Sequence, residues 1–555
     1  MERVVDVLVA GSGAAGLTAA ATAASLGLEV LLIEKQDKIG GTTSYSGGIV
    51  WVPDNPISKD HGIRDSCGEL YMNNAIRDSG CFDREMSQAR RRAYLRNGPE
   101  MIRLLIDLGF KWATERPIYP DYHPALPGAR PEGGRTLHPA IFDAASLGQW
   151  REHLIKPASS TPLIDFQDLR IASRPLSSPR DLIKVLWMLL KSKVRLLLRP
   201  GSVSMGYSLV AQLLFICTRQ TGKLTIEREA ELISLIPNRK EEGAKLRAIV
   251  ETARGLIEVE PRCGVVLATA GFARDEELRA LYLRKPSETK WSLTHPGGDS
   301  GDGLRRAMAI GGQTTMMKEA WFIPTMADPV TGRVTSALFE MSKPYCIVVD
   351  RRGRRCFSEA QPYGDIGHSM YEHEAVPSWL ILDWNHRSRY MLGSLWPYLK
   401  PTAAVKAGDI FEGNTLDELA RQIDVDATAL RETVTRWNEM CETGEDADFR
   451  KGDDAYQRFI GDENVKPNAN MGPIKVPPFY ALEVWPGDAG TKGGLVTDEH
   501  ARVLDEHGMV IPGLYAAGNV TASVMEESCF AAGVTLGPAL TFAYIAAQHM
   551  RAQLP

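Results

Sequence analysis

VVDVLVAGSGAAGLTAAATAASLGLEVLLIE, residues 4–34, decides the fold class. Val4 to Val9 is an apolar run ending in a glycine turn, the pattern of a short strand buried on both faces. GSGAAG follows, and Leu17 to Ser25 is alanine-rich and predicts a helix. LEVLLIE then reads as a second strand closing on Glu34. Strand, glycine turn, helix, strand and acidic residue together form the context a dinucleotide-binding fingerprint requires. Gly11 permits the turn, Gly13 lets the backbone approach a pyrophosphate, and Gly16 lets helix and strand pack closely. Glu34 is placed to accept hydrogen bonds from an adenosine ribose, with Ser12, Ala14, Ala15 and Lys35 in the same binding stretch. A purely structural turn is the competing reading of GxGxxG alone, and the complete unit at the right spacing outweighs it.

The fingerprint does not separate a nicotinamide from a flavin dinucleotide. IGGTTSYSGGIVW, residues 39–51, does: small and hydroxyl residues stand where a backbone must pass close to a large flat ligand. Gly40, Gly41, Thr42, Thr43, Ser46, Gly47 and Gly48 are read as wrapping the pyrophosphate and isoalloxazine of FAD.

With GVVLATAGFA at 264–273, GTKGGLVTD at 490–498 and GLYAAGN at 513–519 added, the chain resembles the fumarate reductase/succinate dehydrogenase flavoproteins, and within them the 3-ketosteroid dehydrogenases. The family's covalent histidyl-flavin attachment sequence is not seen, so the resemblance implies non-covalent FAD. It extends the cofactor set to Ala230, Ala270, Gly271, Gly518, Asn519, Gly533, Thr535 and Leu536. The implied fold class is α/β: a discontinuous Rossmann-like FAD-binding domain, residues 1–290 and 478–555, with an inserted α+β substrate or cap domain at 291–477. LDELARQIDVDATALRETVTRWNEM, of amphipathic period, belongs to that cap.

Desaturation beside a ketone needs a polarised carbonyl, a base for the acidified α proton and a hydride acceptor at the β carbon. Flavin N5 suits the last role. A tyrosinate-like base suits the α proton if neighbouring groups lower the phenol pKa. By resemblance, Tyr363 in RRCFSEAQPYGDIGH is the base and Tyr122 in YPDYHPALPG supports it. Packing with a satisfied hydroxyl is the common fate of a tyrosine and the alternative for both. Gly533 opens a helix whose free N–H groups can hold the flavin edge and a substrate oxyanion. Where the family places a carbonyl-gripping tyrosine, this chain has Cys529, a shorter and weaker donor. Gly533 then acts with another donor such as Tyr119, Tyr345 or water, or the activity has moved; a small buried spacer is the plainer reading of Cys529. Glu526 and Glu527 are read as a loop over the flavin, and Glu359 as orienting the cap loop or Tyr363.

The rest of the composition sets limits. At 555 residues the chain exceeds one compact core, and a net charge of -5 offers no field for nucleic acid. The 8 cysteines lack the paired spacing of a zinc site and the density of a disulfide scaffold, so no metal and a reducing compartment are expected. No secretory signal opens the chain, which points to the cytoplasm. DLIKVLWMLLKSKVRLLLRPG, 181–201, carries too many charges to span a bilayer. Its 182–198 core is read as a basic amphipathic helix on a membrane surface or over an apolar pocket, or as a helix packed on the domain with its lysines in water. The leading function is an FAD-dependent dehydrogenase of a 3-oxo steroid or related polycyclic terpenoid, a small apolar ketone, with a quinone or oxygen as external electron acceptor. A fumarate-reductase-type enoate reductase using Arg354, Arg355, His295 or His368, and a non-catalytic flavin-binding protein, are the alternatives.

Overall fold

A computed structural model describes residues 2–77, 79–157, 162–220, 222–237 and 246–554. The opening unit forms as its pattern requires: β1 (Glu2–Ala10), α1 (Ala14–Ser25) and β2 (Val30–Glu34). β1 is buried on both faces over Val7–Ala10 because it lies mid-sheet, parallel to β2 on one side and to a later strand on the other. α2 (Arg84–Asp107), α3 (Pro179–Leu198) and α4 (Met205–Thr218) precede β3 (Leu224–Arg228), β4 (Ala230–Pro237), β5 (Leu246–Thr252) and β6 (Gly255–Leu267).

A second sheet takes β7 (Ala320–Ala327) and β8 (Val334–Ser336), then, past the short helix α5 (Leu338–Ser342), β9 (Cys346–Val349). It continues after α6 (Tyr363–Glu372) with β10 (Ser378–Leu382) and β11 (Ile410–Gly413), and, following α7 (Ala427–Thr443), with β12 (Phe479–Thr491). β13 (Arg502–Leu504), β14 (Val510–Ala516) and α8 (Leu536–Ala552) return to the first sheet.

The first sheet runs β13-β14-β6-β1-β2-β3, with β5 joined to β6 and β4 to β5. Its centre is parallel and its β4-β5-β6 flank antiparallel. The alanines of α1 permit close approach, and α1 packs against α4 and α8 over one face of the sheet. The second sheet runs β8-β7-β12-β10-β9, with β11 also on β12, and is antiparallel throughout. β12 lies at its middle although it falls after residue 478, where the sequence places the return to the first domain.

β12 is also fastened to the first sheet's side. Thr491 Oγ1 accepts from the Phe272 N–H at 3.1 Å, and buried Asp488 pairs with Arg279 at 2.8 Å and accepts from Ser292 Oγ at 2.7 Å. A cavity of about 1230 Å³ lies along the carboxyl ends of the first sheet's strands and reaches under the second sheet.

Candidate active site

The glycine turn after β1 lies bare along this cavity. A Cβ on Gly13 would meet only Thr43 Oγ1, at 3.5 Å, and one on Gly41 would meet no protein atom within 4 Å. Those open backbones, and the N-terminus of α8 at Thr535 and Leu536, form a cradle suited to a pyrophosphate and a flat ring. Glu34 closes one end: its Oε2 accepts from Ser12 N–H at 3.0 Å and Ser12 Oγ at 2.6 Å. Ala230, Glu231 and Leu232 form a wall nearby. The cavity exceeds the roughly 300–1,000 Å³ of a single-ligand pocket, so it has room for a dinucleotide and a second molecule. The residues present fit FAD.

Ser12, Ala14, Ala15, Lys35, Thr42, Thr43, Ser46, Gly47, Gly48, Ala270, Gly518, Asn519 and Gly533 line the cavity as the sequence expects. Gly16, Gly40 and Gly271 do not, and each of these glycines is required by protein packing against it. A Cβ on Gly16 would strike the Gly11 carbonyl, on Gly40 the Ser44 hydroxyl, and on Gly271 the Thr491 hydroxyl. Lys35 lines the cavity with its ammonium engaged by Asp302 at 2.6 Å and by Ser300. Asp299, absent from the expected set, holds the wall together: Oδ2 accepts from Thr42 Oγ1 at 2.6 Å and Oδ1 from Gly271 N–H at 3.3 Å. Burial pushes its carboxyl up to about 6. The glycine-rich GGDSGDG around it was the available signal.

Tyr122 and Tyr363 meet on the cavity that Gly533 also lines, with ring centroids 5.4 Å apart at 72°. Tyr363 opens α6, and Tyr122 is anchored by its N–H to the Phe530 carbonyl at 2.9 Å. The residue before it, Asp121, accepts from Trp51 Nε1 at 2.9 Å and from buried Arg135 at 2.6 Å, so Tyr122 stands on a closed ion-pair network. The condition that neighbouring groups lower the phenol pKa is not met in this structure. Burial raises both phenols well above their ordinary value, Cys529 adds to the rise at Tyr363, and the hydrogen bond with Tyr122 works the other way.

Cys529 is a neighbour of Tyr363 that raises its phenol, and it does not line the cavity. The first turn of α6 sits directly on it: a Cβ on Gly364 would lie 2.7 Å from Cys529 Cβ. Burial pushes the thiol up to about 11, against the pull of nearby Lys492. Of the other proposed donors Tyr119 lines the cavity, whereas Tyr345 does not and stacks on Tyr390. Glu526 does not lie over the flavin cradle; it accepts from Ser79 and Ser87 and pairs with Arg91, pinning its loop to α2. Glu359 pairs with Arg355 and Lys451 inside the cap. Arg354, Arg355, His295 and His368 lie off the cavity, His368 bound to Glu319 at 2.8 Å.

Of the remaining walls, the sequence offered only α3, as a helix over an apolar pocket, among its alternatives. Phe339 and Glu340 of α5 form one, with Asp328, Arg333 and Ser394. Val185, Met188 and Leu189 of α3 form another. The opposite face of α3 is apolar and open: Ile183, Leu186, Trp187, Leu190, Val194 and Leu197 are exposed. Among the described residues no helix is long and apolar enough to cross a membrane.

Residues 6–536 match the FAD binding domain family. The 3-oxosteroid 1-dehydrogenase of Mycobacterium tuberculosis is 35% identical, covering 99% of this chain and 98% of its own. The 4-oxocyclohexanecarboxylate 2-dehydrogenase of Sinomonas cyclohexanicum is 33% identical over 99% of this chain and 93% of its own. Among solved structures, the 3-ketosteroid delta1-dehydrogenase of Sterolibacterium denitrificans in complex with 1,4-androstadiene-3,17-dione superposes with a TM-score of 0.90 at 36% identity over 100% of both chains. Full-length likeness of this kind, on a chain that carries the glycine cradle and the paired tyrosines, places it in the FAD-binding family: the chain belongs to the 3-ketosteroid dehydrogenase branch of the fumarate reductase-type flavoproteins.

Proposed function

We propose that this chain introduces the double bond between carbons 1 and 2 of a 3-oxo steroid. The observation that carries the reading is the Tyr122–Tyr363 pair on the cavity that Gly533 also lines, in a chain whose relatives are named for that reaction. FAD, held without a covalent bond, supplies the hydride acceptor when bound. Gly533, at the entrance to α8, holds the ketone oxygen as negative charge develops on it. Tyr363, in its phenolate form, takes the α proton at its hydroxyl oxygen, and Tyr122 steadies that oxygen by hydrogen bonding. Cys529 lies against the first turn of α6, which Tyr363 opens. An external quinone or oxygen takes up the electrons.

We also infer that the inserted unit extends through β12 to residue 491, because that strand belongs to the second sheet. The outer stripe of α3, flanked by Lys184, Lys191, Lys193 and Arg199, rests on an anionic lipid surface, and its inner face forms the cavity wall. An apolar ketone dissolved in lipid would then arrive next to its site.

The test is anaerobic mixing of the yellow protein with 3-oxo steroids. Bleaching of the flavin band, with a product two mass units lighter, is the expected result. Dithionite-reduced protein that fumarate-like enoates reoxidise, with no bleaching by any ketone, would overturn the proposal.

A further inference from the structure

The cap wall of the cavity sets polar groups among apolar ones, and two of the polar groups are carboxylates. Asp328 is engaged internally: Oδ1 accepts from Thr331 N–H at 2.8 Å and Ser394 Oγ at 2.7 Å, and Oδ2 from Ser394 N–H at 2.7 Å. Glu340 differs. It is 7% exposed and lines the cavity, and its Oε1 accepts from Gly393 N–H at 2.9 Å. The Glu340 carboxyl thus lines the cavity with backbone N–H groups alone, its own and that of Gly393, as hydrogen-bond donors to it, and a buried carboxyl so sparsely partnered carries a desolvation cost that a ligand can relieve.

Its place in the fold sets which part of a ligand it meets. Leu338 and Phe339 pack with the cluster containing Tyr119 and Tyr122, whereas Met341 packs in the cap core, so Glu340 stands where the site passes from the tyrosines into the cap. The glycine cradle and Glu34 are carried by the first sheet, whereas Glu340 is carried by a helix between strands of the second.

We propose that Glu340 recognises a hydrogen-bonding oxygen, a ketone or hydroxyl, at the end of a polycyclic substrate remote from the ring that is dehydrogenated. This rests on reading the cavity as the site of a polycyclic ketone. Burial pushes the Glu340 carboxyl up to about 7, with its own N–H, the Gly393 N–H and Lys343 pulling down and Asp328 pushing up. Lys343, just past the end of α5, is itself brought down to about 7 by burial, with Arg174 and Arg170 adding to the fall and Asp462 and Glu340 opposing it, and Arg333 and Arg387 are further cations on this side. Below that pH Glu340 is a carboxylic acid, able to donate to a ketone and to accept from a hydroxyl. Above it, the carboxylate can only accept, and a ketone loses its partner.

The experiment compares two 3-oxo-4-ene steroids identical except for a ketone or a methylene at carbon 17. Binding to the holoprotein is read by calorimetry, alongside KM and kcat. Wild type should bind the ketone about tenfold tighter, the worth of one buried hydrogen bond. Glu340→Leu should abolish that ratio through KM with little change in kcat, and Glu340→Gln should keep most of it. KM for the ketone should rise above pH 7 in wild type and stay level in Glu340→Gln. Equal binding of the two steroids by wild type, an intact ratio in Glu340→Leu, or an unchanged pH dependence in Glu340→Gln overturns the proposal. Flavin content and melting temperature report folding of each variant, and Glu340→Gln carries the test if Glu340→Leu does not fold. Selective binding with no bleaching by either steroid would sink the desaturation reading and leave this one standing.

Discussion

Tyr363 shows how far a single residue can be read before its surroundings are known. The motif around it marked the position, but the condition of a lowered phenol pKa is not met, because burial depends on side chains distant in sequence: Tyr122, Cys529 and the first turn of α6. With both phenols raised, the neutral form dominates at neutral pH and the accepting phenolate becomes commoner as pH climbs. The expected kcat/KM profile therefore rises toward alkaline pH without a plateau below the ordinary phenol value near 10. A plateau at neutral pH would remove the burial argument. Tyr363→Phe should cost at least about 10²-fold in kcat, the usual worth of a positioned acid or base, with FAD content unchanged. Gly13 is the opposite case, since its meaning is local and the spacing alone conveyed it. Gly13→Val finds room in the protein but not beside a pyrophosphate, so the purified variant should be colourless.

Elements were legible where a pattern is self-contained. The β1–α1–β2 unit is one, and the amphipathic α7 is another. α3 was legible only in outline: its sequence announces an amphipathic basic helix, but which face meets what is settled by the neighbours it packs on. Two apolar faces emerge, one on the cavity and one outward. The outward face predicts a measurable membrane affinity. Vesicles containing anionic lipid should pull the protein down and shift Trp187 emission to the blue, Leu190→Asp should abolish both, and turnover of a water-soluble ketone should be unchanged by Leu190→Asp. No difference between variant and wild type would refute the contact.

α6 supplies a second test at this scale. Glu319 accepts from Arg284 at 2.7 Å and bonds His368 of α6 at 2.8 Å, and these partners outweigh burial and hold its carboxyl down near 2. A carboxylate held below its ordinary value stabilises the fold above about pH 4.5, and the contribution is lost as pH falls toward 2. Its full size is about 3 kcal/mol at 1.36 kcal/mol per pKa unit. Glu319→Gln should lower the melting temperature at neutral pH and flatten its fall between pH 4.5 and 2.

At the scale of the molecule, the flavin sheet follows from consecutive units and the second sheet does not. β12 pairs with β7, β10 and β11 across separations that no local pattern encodes, and this is why the sequence boundary at 478 cuts ahead of a strand the second sheet needs. Glu340 escaped for the same reason, since only the assembled wall separates it from the saturated Asp328. Because the cradle and the tyrosines share one cavity, added FAD should raise the melting temperature of flavin-depleted protein in proportion to the logarithm of its excess over Kd. The Gly13→Val protein should show no such rise.

The fastening of β12 bears on how a substrate gets in. A strand at the centre of one sheet, tied through Thr491 to Phe272 and through Asp488 to Arg279, acts as a weld between the halves rather than a pivot. A clamshell opening would have to break that buried ion pair, whereas rocking of α3 would leave it intact. Traffic is then expected through a porthole framed by α3, and hydrogen exchange should find the amides of β12 as slow as those of β1 while the rim breathes.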